Sequence, residues 1–371
     1  MPKLILDVAG GDYAPDTNLE GALQALPEIE GELILVGDEP DLRRRLGQRR
    51  YRALAQALAE TDGAPDGPQR CRVRIVHAPE TIDMADSIRA VRSKPGASIN
   101  VGCRMAAADW AAWKSSPQTA EPSAFISAGH SGAMMASALL NLGRLPGVER
   151  PAIAVKLPTL QPDGCVLLDV GANVDCKPEH LRDFAIMGAA FAQAERTAEG
   201  LPRIGVLSNG EEKSKGNELT RAASALIEKL PGLSDKPGSF GRFIGNVEGK
   251  EIFRGEVDVV VADGFVGNVV LKSLEGLGSA VVSQLKREAK GSIAASLGFL
   301  FTSGVLIRLK RKLDYAEYGA APLLGVAGYA FICHGRSTPK AIKNSLLRTQ
   351  TALRSRFVER LETALASADG A

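Results

Sequence analysis

The sequence has no surplus of either charge: 45 basic residues against 43 acidic ones leave +2 over 371 residues. Chains that bind nucleic acid ordinarily carry a basic excess, so no nucleic-acid partner is expected. Cysteine is scarce. Cys71, Cys103, Cys165, Cys176 and Cys333 are odd in number, scattered and without C-x-x-C spacing. That excludes a disulfide scaffold and points to reduced thiols, with Cys165 read as a buried structural thiol at the head of an apolar strand. The four histidines, His77, His130, His180 and His334, are far apart and form no H-x-x-x-H, so no metal and no other cofactor is expected. No apolar run reaches the ~20 residues of a spanning helix. No charged n-region with a long apolar core precedes the first hydrophobic segment at Leu4, and the expected location is cytoplasmic. Internal repeats and extended low-complexity stretches are also lacking.

What remains is a globular composition, with 45% hydrophobic residues punctuated by 39 Gly and 20 Pro. Short apolar runs at 4–8, 33–36, 73–77, 124–127, 153–157, 166–170, 204–207, 257–262 and 329–333 alternate with segments of helical period. Several of these runs are apolar without alternation, as in strands covered on both faces. The rhythm predicts one large α/β domain over 1–371, built on a doubly wound, mainly parallel sheet with helices on both faces, Rossmann-like. In such sheets ligands bind beyond the carboxyl ends of the strands. The stretches 61–69 and 115–122, rich in Pro, Gly and small polar residues, read as surface loops.

The loops at those strand ends hold the chemistry. Gly10-Gly11-Asp12-Tyr13 allows a tight turn and a close backbone approach, with Asp16 or Thr17 as a cap for the next helix. Gly129-His130-Ser131-Gly132 opens a small-residue helix, where unpaired N–H groups and the positive dipole end form an anion cradle. It is neither a Walker A loop nor G-x-S-x-G, and Ser131 also reads as a plain N-cap. Asp169 and Asn173 leave a buried strand together, ahead of Lys177-Pro178, where proline can take the first helical position. Lys213 and Lys215 follow another strand; they can face a phosphate or belong to a solvated charge run. Asp263-Gly264-Phe265-Val266-Gly267-Asn268 begins a long helix, with Asn268 either capping it or polarising a carbonyl. His334-Gly335-Arg336-Ser337 adds a planar cation. Together these form an inventory for binding phosphate.

Six blocks, in this order, resemble the PlsX-type phosphate acyltransferases (acyl-acyl-carrier-protein:phosphate acyltransferases): Ala9-Gly10-Gly11-Asp12, Ser127 to Ala133, Leu168 to Asn173 with Lys177-Pro178-Glu179-His180, Lys215-Gly216-Asn217-Glu218-Leu219, Asp263 to Val269, and His334 to Ser337. The resemblance runs from Leu4 to about Ala366. It implies a fold like that of phosphotransacetylases and isopropylmalate-type dehydrogenases, a homodimer, and a reaction in which long-chain acyl-ACP and inorganic phosphate give acyl phosphate and free acyl carrier protein, feeding phospholipid synthesis. Where the family commonly has histidine this chain has Tyr13, so that position is not read as a catalytic base.

On this reading Lys215 holds phosphate and offsets charge in the transition state, and Asn268 donates to the carbonyl or phosphate. Ser131, with the amides of Gly129, His130 and Gly132, completes the cradle; Asp12 is also placed at the substrate, and Asp169 and Asn173 order the site. Transfer is direct, because phosphate is already a nucleophile that needs positioning more than deprotonation. The segment 286–313 reads as a basic amphipathic helix, and within it 291–312 suits either an anionic lipid surface or a dimer partner. Arg43–Arg45 and 308–312 are candidate docking patches for the acidic carrier protein. The rival readings are a catalytically silent scaffold that binds carrier protein or lipid, and an NAD-dependent dehydrogenase of related fold. Against the latter, no strand is followed by G-x-G-x-x-G with an acidic residue ~20 positions on.

Overall fold

The computed structural model describes residues 2–63, 71–289, 304 and 319–369. In chain order its strands are β1 (Lys3–Asp7), β2 (Gly31–Gly37), β3 (Cys71–His77), β4 (Ser123–Ser127), β5 (Ala152–Leu157), β6 (Cys165–Leu168), β7 (Arg203–Leu207), β8 (Arg242–Val247), β9 (Val259–Val261), β10 (Ala321–Leu324) and β11 (Tyr329–Ile332). They form one sheet in the order β3-β2-β1-β4-β11-β10-β5-β6-β9-β7-β8. The unbroken apolar runs follow from burial on both faces. In β1, Leu4 and Leu6 enter one hydrophobic cluster and Ile5 the other, as the two-residue side-chain period requires.

Helices cover each face. The helices Asp16–Ala25, Pro178–Glu195 and Pro339–Ser355 place Leu19, Phe184 and Ile342 in the first cluster. The helices Ser98–Ser115 and Ser131–Asn141 place Ile99 and Met134 in the second, and Gly264–Ala289 packs Val270, Leu271 and Leu274 against it.

The sheet is not uniformly parallel. β10 runs antiparallel to both β11 and β5, and β5 antiparallel to β6, whereas β3-β2-β1-β4-β11 and β6-β9-β7-β8 are each parallel. Three successive reversals give the two parallel sets opposite polarity. The carboxyl ends of β1, β4 and β11 therefore lie on one rim of the sheet, and those of β6, β9 and β7 on the other.

Two strands, β8 and β10, go beyond the nine expected. The short central strand β10 contains Pro322, and β8 lies at the sheet's edge with Gly245 at φ +95° and a register shift against β7. The strand expected at 166–170 ends at Leu168, because Asp169 turns inward to organise the next loop. The stretch 115–122 is mostly exposed connection after the helix Ser98–Ser115, and most of 61–69 lies outside the described residues. So does nearly all of 286–313: only 286–289, the end of the helix Gly264–Ala289, and residue 304 are described.

Candidate active site

Each rim is built around a buried carboxylate at a strand end. On the first, Asp7 closes β1 and accepts from the Ser127 hydroxyl at 2.6 Å and from the Ala9 amide at 3.1 Å. Ser127 Oγ in turn accepts from the Gly129 amide at 3.0 Å. Burial pushes the Asp7 carboxyl above the usual range, and these donors pull part of the way back. This chain of bonds fixes the glycine loop after β4 against the Gly10-Gly11 turn. The Asp12 amide then donates to the Gly335 carbonyl at 2.8 Å, bringing the loop after β11 alongside.

The Gly129 amide is thus engaged by Ser127, which leaves the helix opening to present a cradle. There His130 is the cap: its Nδ1 accepts from the Ala133 amide at 3.1 Å. Ser131 is consequently not the N-cap but the first helical residue, exposed, with a hydroxyl that no protein group engages among the described residues. Asp12 is exposed, 3.7 Å from the Arg336 guanidinium. Tyr13 projects into solvent. Asp16 and Thr17 do not cap the helix that begins there; Asp16 pairs with Arg45 and Arg50 instead.

On the second rim Asp169 is fully buried and collects five donors. They are the amides of Ile153 (3.0 Å), Gly171 (3.3 Å), Ala172 (3.0 Å) and Asn173 (2.6 Å), and the Asn173 side-chain amide (2.9 Å). The same Asn173 amide group donates to the Pro151 carbonyl at 2.8 Å. Burial raises the Asp169 pKa while these donors oppose the rise. The helix Gly264–Ala289 is clamped onto this loop. The Gly264 amide donates to the Asn173 carbonyl at 2.7 Å, and a Cβ on Gly267 would stand 1.9 Å from the Asp169 carbonyl oxygen, so no larger residue fits there.

Asp263, not Asn268, caps that helix, accepting from the Val266 amide at 2.9 Å. Asn268 lies in the second turn, with its side chain over Gly171, and its amide has no protein hydrogen bond among the described residues. Lys215 rises from the loop after β7, whose end runs beside that of β9. Gly216 at φ +91° makes the tight turn that exposes it, and the Gly216 amide donates to Asn209 Oδ1 at 2.8 Å. Lys213 is held by Glu228 at 2.5 Å, whereas Lys215 has no ion pair among the described residues.

Lys215 and Asn268 therefore share one rim, and Asp12, His130 and Ser131 share the other. No hydrogen bond or ion pair joins the side chains of Ser131, Lys215 and Asn268 among the described residues. The rims are bridged by the helix Gly264–Ala289. From Gly264 to Lys272 it advances about 12 Å, close to the ~13 Å length of a four-residue strand. Lys272, one turn beyond Asn268, reaches the loop after β11, with Nζ 3.4 Å from His334 Nε2. Lys272 was not singled out from the sequence; its only signal there is the spacing of four from Asn268, which sets both on one helix face.

Covalent chemistry has no activated thiol to use. All five cysteines are free, and desolvation raises every thiol: Cys71, Cys103 and Cys176 to about 12, Cys333 to about 11, and the fully buried Cys165 further. Cys176, nearest the Asp169 loop, turns its Sγ to the Asn173 carbonyl at 3.5 Å. The variant Cys176→Ser is expected to keep kcat within about twofold, and intact-protein mass spectrometry during turnover should find no acyl adduct. Glu211, Glu248 and Glu251 cluster in a way that could hold a cation, but Lys250 Nζ already stands 3.2, 2.7 and 3.7 Å from them. The run Arg43–Arg45 is paired with Glu39, Asp41 and Asp16, which removes much of its value as an anionic-partner patch.

An α/β sheet of this kind, with helices on both faces, has counterparts among solved structures. EutD phosphotransacetylase from Staphylococcus aureus superposes with a TM-score of 0.52 at 14% identity, covering 94% of each chain. A putative 4-hydroxythreonine-4-phosphate dehydrogenase from Salmonella typhimurium gives 0.50 at 11%, covering 94% of this chain and 98% of the other. At such identities the likeness concerns the fold alone.

The sequence relation is much closer. The family model described as "Fatty acid synthesis protein" matches residues 2–360. The phosphate acyltransferase of Pelotomaculum thermopropionicum is 43% identical over 366 residues, covering 98% of this chain and 95% of that protein. That of Myxococcus xanthus is 44% identical over 349 residues, covering 93% and 88%. The chain belongs to the PlsX-type phosphate acyltransferase family, enzymes of acyl transfer in fatty acid synthesis.

Proposed function

We propose that the enzyme transfers a long-chain fatty acyl group from the thioester of acyl carrier protein to inorganic phosphate, giving an acyl phosphate for phospholipid synthesis. The observation that carries this reading is the pairing, on one rim, of a Lys215 ammonium and an Asn268 amide that no protein group engages among the described residues. A phosphate oxygen attacks the thioester carbonyl, the C–S bond breaks as the new C–O bond forms, and the departing thiolate takes up a proton. Lys215 offsets the charge of the phosphate, and Asn268 donates to the oxygen that becomes negative. The first turn of the helix Ser131–Asn141 supplies N–H groups for anion binding.

Incubation with acyl-acyl-carrier-protein and phosphate, followed by hydroxylamine, should yield acyl hydroxamate in proportion to enzyme. Absence of hydroxamate with both the carrier-protein and the coenzyme A thioester would overturn the reading. The same assay separates it from a scaffold or a dehydrogenase.

The enzyme works as a homodimer in the cytoplasm, at the inner surface of the membrane. Supporting this, Val269, Leu277, Val281 and Leu285 are exposed at four- and eight-residue spacing along the helix Gly264–Ala289, which leads into the basic amphipathic sequence at 291–312. The double variant Leu277→Glu/Val281→Glu should shift the light-scattering mass from dimer to monomer. The wild-type chain should float with anionic vesicles; a monomeric wild type that stays off vesicles would sink this part.

A further inference from the structure

Lys215 is exposed and has no ion pair among the described residues, and an unheld lysine side chain samples many rotamers. The loop after β7 limits that freedom from the backbone outward. The Lys215 amide donates to the Glu212 carbonyl at 2.9 Å, and the same carbonyl accepts from the Asn246 side chain at 2.9 Å. On the other side the Gly216 amide is held by Asn209, and the Gly216 carbonyl accepts from the Arg221 guanidinium at 2.5 Å. The backbone is thus pinned before and after Lys215, and the side-chain torsions are what remains open.

Gly210 closes part of that freedom. It is buried shortly after β7, and the Lys215 stem lies directly on it. A Cβ at this position would stand 2.7 Å from Lys215 Cγ, 3.2 Å from Lys215 Cδ and 2.9 Å from Glu212 Oε2. Two of those separations are shorter than a Cβ sustains, so the stem rests where it does because glycine has none. The φ of Gly210 lies outside the left-handed region, so an added methyl leaves the backbone unstrained and displaces two flexible side chains. Gly216 is the contrast. Its φ is +91° and a Cβ there would meet Thr220 Oγ1 at 2.2 Å, so substitution disturbs the turn itself.

We propose that Gly210 is a positioning residue for the reaction: it seats the Lys215 stem and so sets where the ammonium meets phosphate. The proposal rests on the role given to Lys215 above and goes one step beyond it. Gly216 directs the backbone, and Gly210 directs the side chain. Because Gly210 acts through Lys215 alone, a methyl there weakens the hold on phosphate, and costs nothing once the lysine is gone.

A double-mutant cycle tests this. Binding of inorganic phosphate to the full chain is measured by calorimetry for wild type, Gly210→Ala, Lys215→Ala and the double variant. Steady-state kinetics with phosphate varied accompany it, and far-UV circular dichroism checks folding. Gly210→Ala is expected to weaken phosphate and raise its KM about tenfold, with kcat within about threefold of wild type. In the Lys215→Ala background the same change should alter phosphate binding by less than about twofold. Wild-type phosphate binding by a folded Gly210→Ala overturns the proposal. So does an equal loss in both backgrounds, which marks a general structural role, and so does loss of the far-UV signal. Failure of the underlying reading looks different: Lys215→Ala then binds phosphate as tightly as wild type, which removes the lysine and its seat together. The calorimetric arm needs no turnover, so it stands apart from the hydroxylamine assay.

Discussion

Lys215→Ala and Asn268→Ala are each expected to lower kcat/KM for acyl phosphate formation by about 10²–10³, the scale of a lost oxyanion donor, or roughly 2.7–4 kcal/mol of transition-state stabilisation. The two losses differ in form. Removing Lys215 weakens a contact to phosphate made before and during the reaction, so most of its effect falls on the KM for phosphate. Removing Asn268 affects the carbonyl oxygen as it becomes charged, so its effect falls on kcat. Asn268→Asp is expected to be worse than Asn268→Ala, because a carboxylate there repels the incoming dianion. Steady-state kinetics with phosphate as the varied substrate decide the matter. Activity within a few-fold of wild type in both alanine variants would remove these residues from the mechanism.

Asp169→Ala is expected to be the most destabilising single change on either rim. Its carboxylate satisfies five donors, of which the bonds from the Ile153 amide and both Asn173 groups are buried. At ~1–3 kcal/mol for each orphaned buried donor, the loss is at least about 3 kcal/mol. For a chain of 371 residues that corresponds to roughly 4 °C in Tm. The loop it ties down is the seat of Gly264 and Gly267, so Asn268 loses its position too, and kcat falls with stability. Calorimetric melting together with kinetics tests this; an Asp169→Ala chain that melts within about 2 °C of wild type would show that the five bonds are not what holds the loop.

Much of this was legible in the chain, for reasons that differ by element. The strands β1 and β6 announce themselves because burial on both faces demands unbroken apolar residues. Asp169 stands out because a carboxylate directly after such a run cannot be left without donors; Asp7 lay inside the run read as 4–8 and gave no such signal. The antiparallel seam was not legible. β10 is four residues including a proline, and its direction depends on partners remote in sequence. Without the seam, all the glycine loops appear to share one rim. Capping was misjudged by one residue at His130, whose ring nitrogen mimics the usual hydroxyl. At Asn268 the capping alternative falls away because Asp263, five residues earlier, caps the helix.

The helix that crosses between the rims behaves as a ruler. A residue inserted between Asn268 and Lys272 would rotate the second about 100° away from His334 while leaving the first in place. The separation between the Asp169 loop on one rim and the loop after β11 on the other is thus written into a count of backbone units.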